Sequence, residues 1–248
     1  MSETTGVQSV VRAIDLLEAL AAADAALPLN EIASRTGLAA PTAHRLLKTL
    51  LSRGYAHQDE AGHYGLGSSL IRLGQRATPQ LAKAAQSVLA SLEQISEETA
   101  NLAVLDGDLV AYIAQVPSRH RMRMFTEVGR HVLPHAAGVG KAMLSTLPEA
   151  HVRELVARTG LPRYTPSTLT SEAKLLADLR ASRRRGFAVD DGEQEVGVRC
   201  IAVALPGVHP PAAVSISGPA ARVTDAKSAG LVEALQHAAV RLAEASPA

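Results

Sequence analysis

The chain has 248 residues, enough for one large domain or two modest ones, and its 47% hydrophobic and 20% charged residues are those of a globular chain rather than a disordered one. A formal net charge of +1 excludes a uniformly basic coat but permits a local basic patch. The single cysteine, Cys200, excludes an internal disulfide framework and a multi-cysteine zinc site.

The N-terminus carries no basic-then-apolar leader pattern, and no apolar run reaches the ~18 residues of a membrane span. The expected setting is the reducing cytoplasm, with no membrane partner. Val7, Val10, Val11, Ile14, Leu17 and Leu20 recur at helical spacing, with Arg12, Asp15 and Glu18 opposite. A short second helix is expected over 30–36, stopped by Gly37. A third follows within "GLAAPTAHRLLKTLLSRGY", residues 37–55. Two strand-like stretches, 55–58 and 63–66, flank the turn signal "DEAG". This order is that of a winged helix-turn-helix. Residues 67–79 form a connector, and a longer helix over 80–97 places Leu81, Ala85, Val88, Leu89, Leu92 and Ile95 on one face.

From Thr99 the period changes. "TANLAVLDGDLVAYIAQV" alternates around Asp106-Gly107-Asp108, a hairpin signal. Helical patterns return at 140–147, 148–159 and 171–185, the last capped by Gly186. Strands "RCIAVAL" and "AAVSIS" precede a final helix that Thr224 can cap, with Leu231, Leu235, Ala238 and Leu242 on its buried face. The fold class is α+β: an N-terminal winged helix-turn-helix over 1–67, a connector and linker helix over 68–97, and a second domain of mixed strands and helices over 98–248.

At 100° per residue the third helix buries Ala43, Leu46, Leu47, Leu50 and Leu51 and exposes Thr42, His44, Arg45, Lys48 and Ser52. Pro41 suits its first turn. Short polar groups near the N-terminus followed by cations suit a helix that enters the major groove, where Arg reads guanine in a bidentate, planar manner that Lys does not match. From Ile32 to Gln58 there are four cations, Arg35, Arg45, Lys48 and Arg53, and no acid. The alternative is a solvated helix face that docks to protein.

With these segments, "QSVVRAIDLLEAL", "YGLGSSLIRLG", "GRHVLPHAAGVGKAML", "LTSEAKLLADLRASRRRGFAVDDGEQEVGVRCIA" and "AAVSISGPAARVT" stand in an order and spacing that resembles the IclR-type bacterial transcription regulators along nearly the whole chain. The resemblance implies a GAF-like effector domain with a mixed, mostly antiparallel sheet. It also implies dimers, often paired into tetramers, that bind palindromic double-stranded operator DNA, and a small organic acid held at one end of the sheet. Gly138, Val139, Asp190, Cys200, Ser215 and Ser217 fall on the family's pocket positions.

Those residues are compatible with a carboxylate site. "AAGVGKA" puts glycines at a helix start, where free N–H groups favour an anion, although it is not a P-loop. Ser215 and Ser217, two apart on a strand, face one side together. A carboxylate at Asp190 repels an anionic ligand unless protonated or turned to a ligand hydroxyl, and Asp190, Asp191 or Glu193 can equally cap a turn. Cys200 reads as buried and inert, or as a pocket residue by the resemblance alone. His131 and His135 are separated by Pro134 and do not form a helical zinc pair, so no metal or cofactor is expected; His135 fixes a loop by hydrogen bonding. "RASRRRGF" at 180–187 reads as a solvated helix C-terminus. No catalytic constellation stands in a suitable context, and the expected function is a ligand-responsive regulator, probed against an enzyme and a protein-docking module.

Overall fold

The computed structural model describes residues 6–77, 80–124 and 127–246, and of residues 75–77, 80 and 225–228 the backbone alone. The end of the expected connector, Thr78 and Pro79, lies outside the described residues. The chain divides into two compact units, Met1–Thr78 and Pro79–Ala248.

The first unit is built from α1 (Gln8–Ala21), α2 (Leu29–Thr36), α3 (Ala40–Ser52), the hairpin β1 (Ala56–Gln58) and β2 (Tyr64–Leu66), and α4 (Ser69–Ala77). Gly37 ends α2 in the left-handed conformation (φ 65°), which turns the chain sharply into α3. Leu16, Leu20, Leu27, Ile32, Ala43, Leu47, Leu50, Ala56 and Tyr64 form one core. The hairpin is tied back to the helices by Leu27, which exchanges backbone hydrogen bonds with Tyr64 at 2.9 and 2.8 Å. The face of α1 differs from the expected one: Leu16 and Leu20 are buried, while Val7, Val10 and Ile14 are exposed. Apolar residues cover more of the α1 circumference than α2 and α3 can bury. The connector also differs, since most of it is the helix α4.

The second unit places α5 (Gln80–Ser96) before a six-stranded sheet of order β5-β4-β3-β8-β7-β6. Its strands are β3 (Thr99–Asp106), β4 (Leu109–Val116), β5 (His131–Val132), β6 (Ala188–Asp191), β7 (Val198–Ala204) and β8 (Ala212–Pro219). The expected predominance of antiparallel pairing holds at every described pair. One face carries Leu102, Ile201, Val203, Val214 and Ile216 against α5 and α9 (Asp225–Glu244). Leu81, Ala85, Leu89 and Leu92 of α5 and Leu231, Leu235, Ala238 and Leu242 of α9 complete this core, whereas Ile95 is 63% exposed beside the cleft between the two helices.

The opposite face is covered by α6 (Gly138–Leu144), backed by α7 (Glu149–Thr159) and α8 (Glu172–Arg185), which ends at Gly186. All seven residues of α6 are buried. With both faces covered, the first five residues of β3 are all buried, so the strand does not alternate between core and solvent.

Candidate DNA-reading face and effector site

On α3, Ala43, Leu47 and Leu50 are buried and Leu46 and Leu51 are half-buried against the same core. Thr42 is half-buried, and His44, Arg45 and Lys48 are exposed, with Arg53 just past the helix end. No hydrogen bond or ion pair within the described residues occupies the side chains of His44, Arg45, Lys48 or Arg53. His44, Arg45 and Lys48 therefore leave one face of α3 without a charge partner. Arg35 is different. Its guanidinium holds Glu31 at 2.6 Å, an acid one residue outside the acid-free window.

In the second unit, strand register brings the expected effector residues together. Asp190 pairs with Cys200, Cys200 with Ser217, and Ser217 with Thr99, so these four share one face. Asn101 pairs with both Ser215 and Gln115 on that face. The Asn101 amide donates to Ser215 Oγ at 3.5 Å and to Ser217 Oγ at 3.4 Å, and Gln115 Nε2 donates to Asn101 Oδ1 at 3.1 Å. In both contacts the serine oxygen accepts, so each hydroxyl keeps its own O–H to donate. Over this row sits the start of α6. A Cβ on Gly138 would lie 2.7 Å from Cys200 Sγ, so only glycine lets the helix begin so close to the strand. Val139 packs into the same cluster.

Asp190 is buried, and burial pushes its carboxyl up to about 7, opposed by the Glu193 backbone N–H and, more weakly, by Lys141, while the Glu193 charge adds to the rise. Its Oδ1 accepts the Glu193 N–H at 2.7 Å and the Gln194 N–H at 3.4 Å, so Asp190 caps a turn and also borders the polar row; Asp191 lies on the exposed side, 3.7 Å from Arg199. Burial raises the Cys200 thiol to about 11, helped by Asp190 and opposed by Ser217 and Ser215. Tyr112, on the same face, is raised by burial and then by Cys200 and Asp190. Behind the row, Lys141 is 1% exposed and places Nζ 2.5 Å from Glu193 Oε1 and 3.1 Å from Asp178 Oδ2.

A model of the IclR helix-turn-helix domain matches residues 9–60, and a model of the bacterial transcriptional regulator IclR C-terminal region matches residues 77–244. The chain belongs to the IclR family. It is a DNA-binding transcriptional regulator with an effector-binding C-terminal domain. Among relatives, the transcriptional repressor IclR of Escherichia coli is 40% identical over 229 residues, covering 90% of this chain and 84% of that one. The acetate operon repressor of Salmonella typhimurium is 41% identical with the same coverage. A crystal structure of an IclR homologue from Microbacterium hydrocarbonoxydans, complexed with 4-hydroxybenzoate, matches with a TM-score of 0.81 at 26% identity, over 96% of this chain and 98% of that one.

Asn101, Gln115, Tyr112 and Lys141 of this IclR-family chain escaped sequence reading. Asn101 and Gln115 did leave a signal: each is a lone amide in an apolar strand, five residues before Asp106 and six after its partner Leu109, the extra residue being taken up by the irregularity between Leu102 and Ala103. Lys141 left none, because a lysine on a short helix reads as solvated. His135 donates through Nε2–H to the Pro162 carbonyl at 3.0 Å, the loop-fixing role expected of it. The arginine run is the exposed helix C-terminus anticipated, but three of its side chains are engaged. Arg180 clamps Glu149, Arg183 donates to the carbonyls of Ser145 and Leu147, and Arg185 stacks on Phe187. No group of three or more His, Cys, Asp or Glu among the described residues is placed to hold a metal ion, and no described helix is long and apolar enough to cross a membrane.

Proposed function

We propose that this regulator is a repressor that binds a palindromic operator as a dimer or a pair of dimers, and that a small organic acid in the sheet-face site controls its hold on DNA. The observation that carries the reading is the buried row Asn101–Ser215–Ser217–Cys200–Asp190 beneath Gly138 and Val139: convergent hydroxyls and amides beside a carboxyl that protonates near neutrality. A protonated Asp190 donates to one oxygen of a ligand carboxylate, and the two serine hydroxyls donate to the other. Thr42 and His44 meet base edges, Arg45 reads a base, and Lys48 and Arg53 flank phosphates. Arg35 contributes once Glu31 releases it. The names of the E. coli and Salmonella relatives support repression, and the 4-hydroxybenzoate complex supports the ligand class.

The experiment is binding to the intergenic DNA upstream of the protein's own gene across a salt series, with and without 4-hydroxybenzoate and a panel of two- to four-carbon carboxylates. Affinity falls steeply with salt, and one acid shifts it without being consumed. Weak, salt-insensitive binding to any duplex removes the DNA reading; turnover of the acid would restore the enzyme reading.

A further inference from the structure

A groove of about 830 Å³ lies away from the polar row, bounded by the ends of α6 and α8, the start of α7 and the β7–β8 hairpin. It meets the strands at Ala204 and Ala212, while the polar row uses Cys200 and Ser217, about 13–17 Å further along at the rise of an extended strand. Its volume falls in the range of about 300–1,000 Å³ typical of small-molecule sites. Leu147, Phe187 and Val208 give it apolar walls. Every side chain lining it that can carry a full charge is a base, namely His151, Arg183 and His209, and no carboxylate lines it.

The bases are placed to serve a ligand. Arg183 uses Nε and Nη2, each at 2.6 Å, on the carbonyls of Ser145 and Leu147. This fixes the guanidinium at the rim, offsets the negative end of α6 and leaves Nη1 without a partner among the described residues. His151 and His209 are exposed and make no hydrogen bond or ion pair within the described residues. Glu149, the carboxylate that feels the charge of Arg183, is already held at both oxygens by Arg180.

We infer that this groove is a second small-molecule site, for an amphipathic organic anion whose apolar body lies on Leu147, Phe187 and Val208 and whose charge meets Arg183, His151 and His209. An aryl or branched carboxylate has that form. The site is distinct from the polar row but shares a wall with it. Gly138, at one end of α6, rests on Cys200; Ala142 and Ser145, towards the other end, line the groove. A fully packed helix passes a displacement from one end to the other, so the two ligands alter each other's affinity by the same factor.

The test uses the full chain and two fluorescent probes, the anion 8-anilinonaphthalene-1-sulfonate and its neutral counterpart N-phenyl-1-naphthylamine. His151→Glu keeps α7 intact, because acids are favoured in a first helical turn. It weakens the anionic probe about tenfold or more by turning attraction into repulsion in a partly solvated groove, and changes the neutral probe less than about twofold. His209→Glu behaves alike, which guards against a folding defect in either variant. Ser217→Ala leaves both titrations unchanged, because it belongs to the other site. Wild-type affinity of the sulfonate for both glutamate variants overturns the proposal. So does an equal loss of the neutral probe, or abolition by Ser217→Ala, which would put the probe in the sheet-face site. Operator release by carboxylates is measured separately, so failure here leaves the proposed function standing.

Discussion

In the proposed effector site, Asp190 is the residue that sets which form of an acid is accepted. Its folded-state value of about 7 lies above the ~3.9 of an unfolded aspartate, so folding favours the protonated form. Two consequences share that sign. The group's contribution to stability is complete below about pH 4 and is lost as pH rises to about 7. Carboxylate affinity, which needs the proton, is flat below pH 7 and falls up to about tenfold per unit above it. Calorimetric titration with the active acid at pH 6 and pH 8 measures this, and Asp190→Asn, which donates at any pH, flattens the profile. On α3, Arg45→Ala costs about 1–3 kcal/mol of operator affinity and relaxes one base position, while Lys48→Ala weakens all sequences alike and lowers the salt slope by about one. Equal slopes for Lys48→Ala and the parent chain would place that lysine off the phosphates. The residues of α3 were readable because period and charge agreed along one helix. The ion pair of Arg35 was not, since Glu31 stands just beyond the window that made the patch look acid-free.

At the scale of elements, α3 and the hairpin were legible from period and turn chemistry, and α5, α7, α8 and α9 from their apolar faces. What escaped, apart from α4 within the expected connector, were elements that exist only by pairing. The strand β5 is two residues long, and β6 ends in two acids that read as a loop until β7 supplies its hydrogen bonds. Within α6, "GVGKAML" suggested a ligand-facing helix start, but only packing shows Lys141 enclosed between Glu193 and Asp178. Removing one member of such a buried group is costly because the others keep their charge. Lys141→Met is therefore expected to destabilise the second unit by about 3–5 kcal/mol, read as a lowered denaturation midpoint. Replacing Glu193 with Gln in the same chain recovers part of that loss. No recovery would mean that the lysine acts through its stem rather than its charge.

For the whole molecule, one recognition helix reads few base pairs, and the proposed palindromic operator calls for two copies bound together. The half-sites are then separated by whole helical turns. Inserting about five base pairs, half a turn, between them moves one half-site to the opposite side of the duplex and abolishes tight binding, while about ten restores the facing but not the distance. Binding that tolerates the five-pair insertion would show that the copies read DNA independently.

The thiol of Cys200, buried beneath Gly138 with its pKa raised to about 11, has a use outside regulation. It is the only cysteine in 248 residues, and at neutral pH an alkylating reagent finds little thiolate and little access. Labelling therefore waits for α6 to lift from the sheet, and its rate counts how often that happens. Added to the native chain, iodoacetamide becomes a clock for breathing in the effector domain. Any ligand that holds α6 down slows the clock by the factor with which it favours the closed form, so effectors can be ranked without DNA, antibody or tag.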